Sequence, residues 1–153
     1  MGRTIPHMEA LQGGPRLKLE LIAHTENPEL IAASAILTTC TGKTPARLVE
    51  ELRRRPGKVE RLLAGIPLTH GSVLEHNRLV WLVEADESEI LHLILKHRFF
   101  EATQLREGLW LLSANLRTVV EFILEGGGWL RGALLESIRG VAPTIWRRLR
   151  GGG

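Results

Sequence analysis

Apolar residues recur along this chain with two periods, and the change from one to the other marks where strands give way to helices. From Arg16 to Ala23 the pattern alternates, with Leu17, Leu19 and Leu21 on one side and Lys18 and Glu20 on the other, which predicts a half-exposed edge strand. After Asn27-Pro28, an N-cap followed by a proline suited to the first helical position, Leu30, Ile31, Ala33, Ser34 and Leu37 follow at helical spacing. That helix should stop by Thr41-Gly42. Thr44-Pro45 repeats the start signal and predicts a helix with Leu48, Val49 and Leu52 inward and the run Arg53-Arg54-Arg55 as its solvated end. Pro56-Gly57 breaks the chain, and Lys58 to Ala64 reads as a short helix closed by Gly65 and Pro67.

The centre of the chain is the run Leu79-Val80-Trp81-Leu82-Val83, too short for a helix and rich in Val and Trp, which predicts a strand buried on both faces. Asp86 and Glu89 then form a capping-box pair that opens a helix through Lys96. This helix is apolar nearly all round, which suits an interior or subunit-interface position, and it ends in Lys96-His97-Arg98. Glu101 to Gly108 reads as a polar loop or turn, Leu109 to Ala114 as a second buried strand, and Asn115 to Glu125 as a helix with Leu116, Val119, Val120 and Ile123 on one face. Gly126-Gly127-Gly128 ends it, Trp129 to Arg139 forms a further helix, and Pro143 starts a short last one. The expected class is α+β, a small antiparallel sheet packed with helices. Residues 1–15 lack periodicity and read as a disordered or tag-like segment, and residues 16–150 as a single domain.

Composition narrows this little. With 153 residues, 44% hydrophobic and 24% charged, the chain can build one domain with a real core. A net charge of +3 favours an anionic small-molecule ligand, such as a nucleotide, over nucleic acid, for which Arg53–Arg55 and Trp146-Arg147-Arg148 are the only suggestive runs. The single cysteine, Cys40, excludes an intramolecular disulfide and falls in a helical apolar pattern where a buried, inert thiol is expected. No run approaches the ~18 apolar residues of a bilayer span, so the expectation is a cytoplasmic chain without membrane contact. His70, Glu75, His76 and His92 match no standard zinc spacing, and no metal is expected.

The string His70-Gly71-Ser72-Val73-Leu74-Glu75-His76, followed by a strand, a helix and Lys96-His97-Arg98, resembles the flavin-dependent thymidylate synthases. In that family a similar His-x-Ser-x-x-Glu-His segment precedes the signature Arg-His-Arg motif. Ser113-Ala114-Asn115-Leu116-Arg117 resembles its later Val-Asn-Ala-Arg segment, and Glu136-Ser137-Ile138-Arg139 a further piece. The resemblance runs from about Leu30 to Val141. It implies FAD held by His70, Ser72, Lys96, His97, Arg98, Asn115 and Arg117, at the junction of subunits in a homo-oligomer, a homotetramer in the family. It also implies that Glu75-His76 is a structural hydrogen-bonding couple, and that Gln104 and Arg106 lie in the segment that meets the substrate, dUMP. NADPH and methylenetetrahydrofolate would enter only in an active enzyme.

The departures fall on the substrate side. Glu101 and Arg106 stand where the signature has serines, Gly108 where it has an arginine, and Leu93 where a glutamine is expected. Glu121 replaces an asparagine, and Gly126 the arginine that polarises the pyrimidine. Losing an arginine from a buried bidentate contact costs roughly 2–5 kcal/mol, and micromolar affinity is only about 8 kcal/mol in total. The expectation is therefore an FAD-binding, thymidylate-synthase-like protein whose dUMP site and methyl transfer are impaired or lost. The alternative is a non-catalytic nucleotide-binding or assembly module on the same scaffold.

Overall fold

The computed structural model describes residues 18–151, apart from the side chain of the candidate site residue His70. The tag-like segment 1–15 lies outside them, as do Arg16 and Leu17 of the predicted first strand. Four antiparallel strands, β1 (Leu19–His24), β2 (Leu79–Glu84), β3 (Glu101–Arg106) and β4 (Leu109–Ala114), form one sheet in the order β1-β2-β4-β3. Seven α-helices occur among the described residues: α1 (Pro28–Cys40), α2 (Pro45–Arg53) and α3 (Pro56–Gly65) between β1 and β2; α4 (Glu87–Lys96) between β2 and β3; and α5 (Leu116–Glu125), α6 (Gly128–Ser137) and α7 (Pro143–Arg150) after β4. The fold is thus α+β with a small antiparallel sheet.

The local signals account for most helix starts. Asn27 adopts a left-handed conformation, φ 45°, and its Oδ1 accepts from the Leu30 amide at 3.2 Å. Prolines occupy the first turns of α1, α2, α3 and α7, where a missing amide proton costs nothing. Pro56 therefore begins α3 rather than breaking the chain two residues before it. At α4, Glu89 Oε2 accepts from the Asp86 amide at 3.0 Å, as the capping pair predicts.

The sheet has one covered face. Leu79, Trp81 and Val83 of β2 are buried and lie opposite Ala114, Leu112 and Trp110 of β4, and the helices pack on this side. Trp81 is fully buried and its indole N–H donates to Ser137 Oγ of α6 at 3.0 Å. The other face carries Val80, Leu82 and Leu111, all half-buried and none packed against the core. This corrects the expectation of a β2 strand buried on both sides. The residues are apolar on both faces, but one chain supplies helices to only one of them.

Two further expectations are overturned and a third is narrowed. Glu101 to Arg106 is not a loop but the edge strand β3, joined to β4 by a tight turn in which Gly108 has φ 72°. Its side chains are mostly exposed, so it carries almost no hydrophobic alternation to read. Cys40 is exposed, because it ends α1 where the helix has passed beyond its buried positions Leu30–Ser34. Helix α4 is not interior all round: Ile90 and Leu93 face the core, while Leu91 and Leu95 are exposed, Leu95 by 80%, as is Phe99 just after the helix, so of the two positions expected for it the interior one holds for one face only.

One buried carboxylate ties the ends of the chain together. Glu29, 6% exposed, accepts from the Ile145 amide at 2.9 Å and so caps the N-terminus of α7 from α1. Burial pushes its pKa above the ordinary 4.5, against the lowering effect of the hydrogen bonds from Ile145 and Thr144 and the charge of Arg147. The folded state therefore holds this proton more tightly than the unfolded state. Ionisation is free of penalty below about pH 4.5, and the penalty builds as pH rises through the folded value and persists above it. Glu29→Gln, which keeps an acceptor oxygen, is expected to raise stability at pH 7 and to flatten this part of the pH profile. Glu29→Ala should cost about 1–3 kcal/mol by orphaning a buried amide. Urea denaturation at pH 4 and pH 7 measures both.

Candidate functional site

Strand register decides which predicted site residues meet. Leu79 faces Ala114 and Glu101 faces Ser113, so the start of β2, the end of β4 and the start of β3 share one end of the sheet. Helix α4 sets out from the opposite end and runs back to this one, delivering Lys96, His97 and Arg98 just before β3. Asn115 and Arg117 follow β4 directly at the same end. The turn Ser72–Glu75, which precedes β2, is held there by Asn77, whose Nδ2 donates to the Leu74 carbonyl at 2.7 Å while its Oδ1 accepts from the Leu116 amide at 2.7 Å. Three segments far apart in sequence therefore assemble at one sheet end. Gln104 and Arg106 do not join them, for Gln104 lies midway along β3 and Arg106 at the hairpin end, opposite Leu109.

The charges at this end are largely paired. Arg117 Nε donates to Glu121 Oε1 at 2.8 Å, and Arg117 also ion-pairs with Glu75. These two carboxylates push the guanidinium pKa further up. Glu75 is thus the partner of Arg117 and not of His76, which is exposed; the guanidinium offers the carboxylate a charge-assisted hydrogen bond. Arg78 ion-pairs with Glu101. Asn115 spends its Oδ1 on the Thr118 amide and hydroxyl, both at 2.9 Å, as the N-cap of α5. Lys96 and Arg98 are exposed with no ion pair among the described residues, and Ser72 is exposed. They are the cationic and hydroxyl groups left available for an anion.

His97 differs from its neighbours. Its ring packs edge-on against Phe122 and Phe100, with centroids 5.0 and 6.4 Å apart, and its Nε2 is buried without a hydrogen-bond partner. Desolvation lowers its pKa below 6.5, outweighing the raising effect of Glu125 and Glu121, while Lys96 and His92 lower it further. At neutral pH it is an uncharged imidazole between two cations.

Beside His97 lies a cavity of about 210 Å³ between α4, the end of α5 and the start of α6. Ile90, Leu93, Phe122, Trp129 and the glycines 126–128 line it, with His92, Lys96 and His97 on the α4 side. Gly126 must be glycine: a Cβ there would lie 2.5 Å from the Phe122 carbonyl oxygen. In the sequence these glycines mark a helix stop and, at Gly126, the place of an arginine in the resembled family; nothing local shows the cavity they line.

Among the described residues no group of three or more His, Cys, Asp or Glu side chains could hold a metal ion, and no helix is long and apolar enough to cross a membrane. No protein-family model matches the chain, and no curated protein matches it.

Proposed function

We propose that this chain is a shortened relative of the flavin-dependent thymidylate synthases that assembles with copies of itself, binds FAD between them, and has lost methyl transfer to dUMP. The observation that carries the reading is the meeting of segments 72–78, 96–101 and 113–117 at one sheet end, the pieces on which the resemblance rests. Lys96 and Arg98 would face the diphosphate, with Ser72 donating a hydrogen bond. FAD supplies redox chemistry when bound, and the side chains here can position it and exclude water.

Assembly is part of the proposal because one chain is too small a host. The cavity of about 210 Å³ is below the roughly 300–1,000 Å³ of sites for drug-sized ligands, and FAD is larger than most of these. Among the described residues two surfaces lack a cover. One is formed by Leu91 and Leu95 of α4 with Phe99 just after it; the other is the sheet face of Val80, Leu82 and Leu111. Two unlike self-contacts are what a dimer of dimers requires. From strand spacing and rise the sheet face covers roughly 400 Å², about half of one partner's share of a standard interface, so each contact alone is weak.

The placement of the remaining groups supports the proposed loss of methyl transfer. Gly126 offers no side chain to a pyrimidine, Arg106 sits at the far hairpin, and Glu101 is held by Arg78. Titrating FAD into the full chain and following flavin fluorescence tests the reading. Saturable quenching in the micromolar range is expected, weakened at least tenfold in Lys96→Ala/Arg98→Ala. No quenching at about 100 µM FAD, an affinity weaker than about 5.5 kcal/mol, would remove the flavin from the account.

A further inference from the structure

The cavity beside His97 is formed within one chain and does not depend on FAD or assembly. Its walls are the rings of Phe122, Trp129 and His97 and the aliphatic side chains of Val83, Ile90 and Leu93. Three aromatic walls favour a flat ring. At about 210 Å³ it suits a ligand of one or two fused rings.

Its polar groups select the charge of that ligand. Helix α6 begins in the cavity wall: Gly127 is its N-cap, no side chain caps it, and Gly128 follows with φ 74°. The first amides of α6 are thus open to an acceptor, and they carry the positive end of the helix dipole. Lys96 adds one fixed cation with no ion pair among the described residues. The Glu89 carboxylate also lines the cavity and keeps its charge, held by Trp129 Nε1 donating to Oε1 at 2.9 Å and the Asp86 amide donating to Oε2 at 3.0 Å, and Lys18, 5.2 Å over the Trp129 ring, offsets it. His97 contributes an unpartnered Nε2 but no charge at neutral pH, and Glu121 and Glu125 lie close enough to act on its ionisation. Lys96, Lys18 and one helix terminus, set against Glu89 in the lining and Glu121 and Glu125 near His97, leave room for no more than a single negative charge. They do not suit a phosphate dianion.

We infer that this cavity binds an aromatic monocarboxylate, its ring between Trp129, Phe122 and Leu93 and its carboxylate between the α6 N-terminus and Lys96. The probe is 2-naphthoate, followed by amide and indole chemical shifts of the full chain. Shifts are expected at Gly126–Leu130 and at the Trp129 indole, with submillimolar saturation and at least tenfold weaker binding of the neutral 2-naphthamide and of inorganic phosphate. Gly127→Asp places a carboxylate at the N-cap, where backbone geometry suits it, so the fold should be kept or stabilised while naphthoate affinity falls at least tenfold. Lys96→Met should also weaken naphthoate without weakening naphthamide. Equal affinity for naphthoate and naphthamide, or unchanged naphthoate affinity in folded Gly127→Asp, would overturn the inference. Gly127→Asp leaves Lys96 and Arg98 in place, so FAD quenching should survive it, and failure of one site is separable from failure of the other.

Discussion

Replacing Trp81 by alanine is expected to cost about 3–5 kcal/mol, a large part of the 5–15 kcal/mol that holds a domain of this size. Trp81 is fully buried at the centre of the covered sheet face, between Leu21 of β1 and Leu112 of β4, with its indole N–H bonded to Ser137. Alanine removes the ring, leaves a cavity under α6, and frees a serine hydroxyl that has a second partner in the Leu134 carbonyl at 2.8 Å. The loss should therefore be dominated by packing, and Trp81→Phe should recover more than half of it. Urea denaturation measures both, with the midpoint moving and the slope unchanged. A loss below about 1 kcal/mol for alanine would mean that α6 does not depend on the sheet for its position.

The largest functional gain is expected from releasing Arg117. In Glu75→Gln/Glu121→Asn the guanidinium loses both carboxylates and becomes available to an anion at the same sheet end as Lys96 and Arg98. FAD affinity should rise about tenfold, equivalent to about 1.4 kcal/mol, and fall back when Arg117→Ala is added. The side chains of Arg117, Glu75 and Glu121 are 35%, 45% and 35% exposed, so stability should change by less than 1 kcal/mol. Fluorescence quenching at fixed ionic strength decides it. A gain that survives Arg117→Ala would belong to the general change in charge and not to this residue.

How far the residues announce this architecture depends on the range of the interactions involved. Asn27-Pro28, Thr44-Pro45, Asp86 with Glu89, and Asn115 act within one turn of chain, and each marks a helix start that the structure contains. Strands β2 and β4 were legible because their apolar runs are dense. Strand β3 was not, since an edge strand with polar exposed side chains looks like a loop until its partner is known. The burial of Glu29 depends on Ile145, 116 residues away, and no local pattern encodes it.

The site divides in the same way. Glu121 sits one helical turn from Arg117 and could be read as its partner, whereas Glu75 reaches Arg117 only through the fold. Lys96, His97 and Arg98 look alike in sequence as a cationic tip. The two phenylalanine rings beside His97 make it neutral and leave only its neighbours charged.

The central claim, that copies of this chain complete a flavin site none of them forms alone, is tested most directly by sedimentation of the full chain with and without FAD, detected by flavin absorbance. A binding site built across copies links the two equilibria, so FAD should shift the population toward dimers and tetramers, with flavin travelling in the larger species. A monomer at every protein concentration, with flavin sedimenting free of it, would contradict the account.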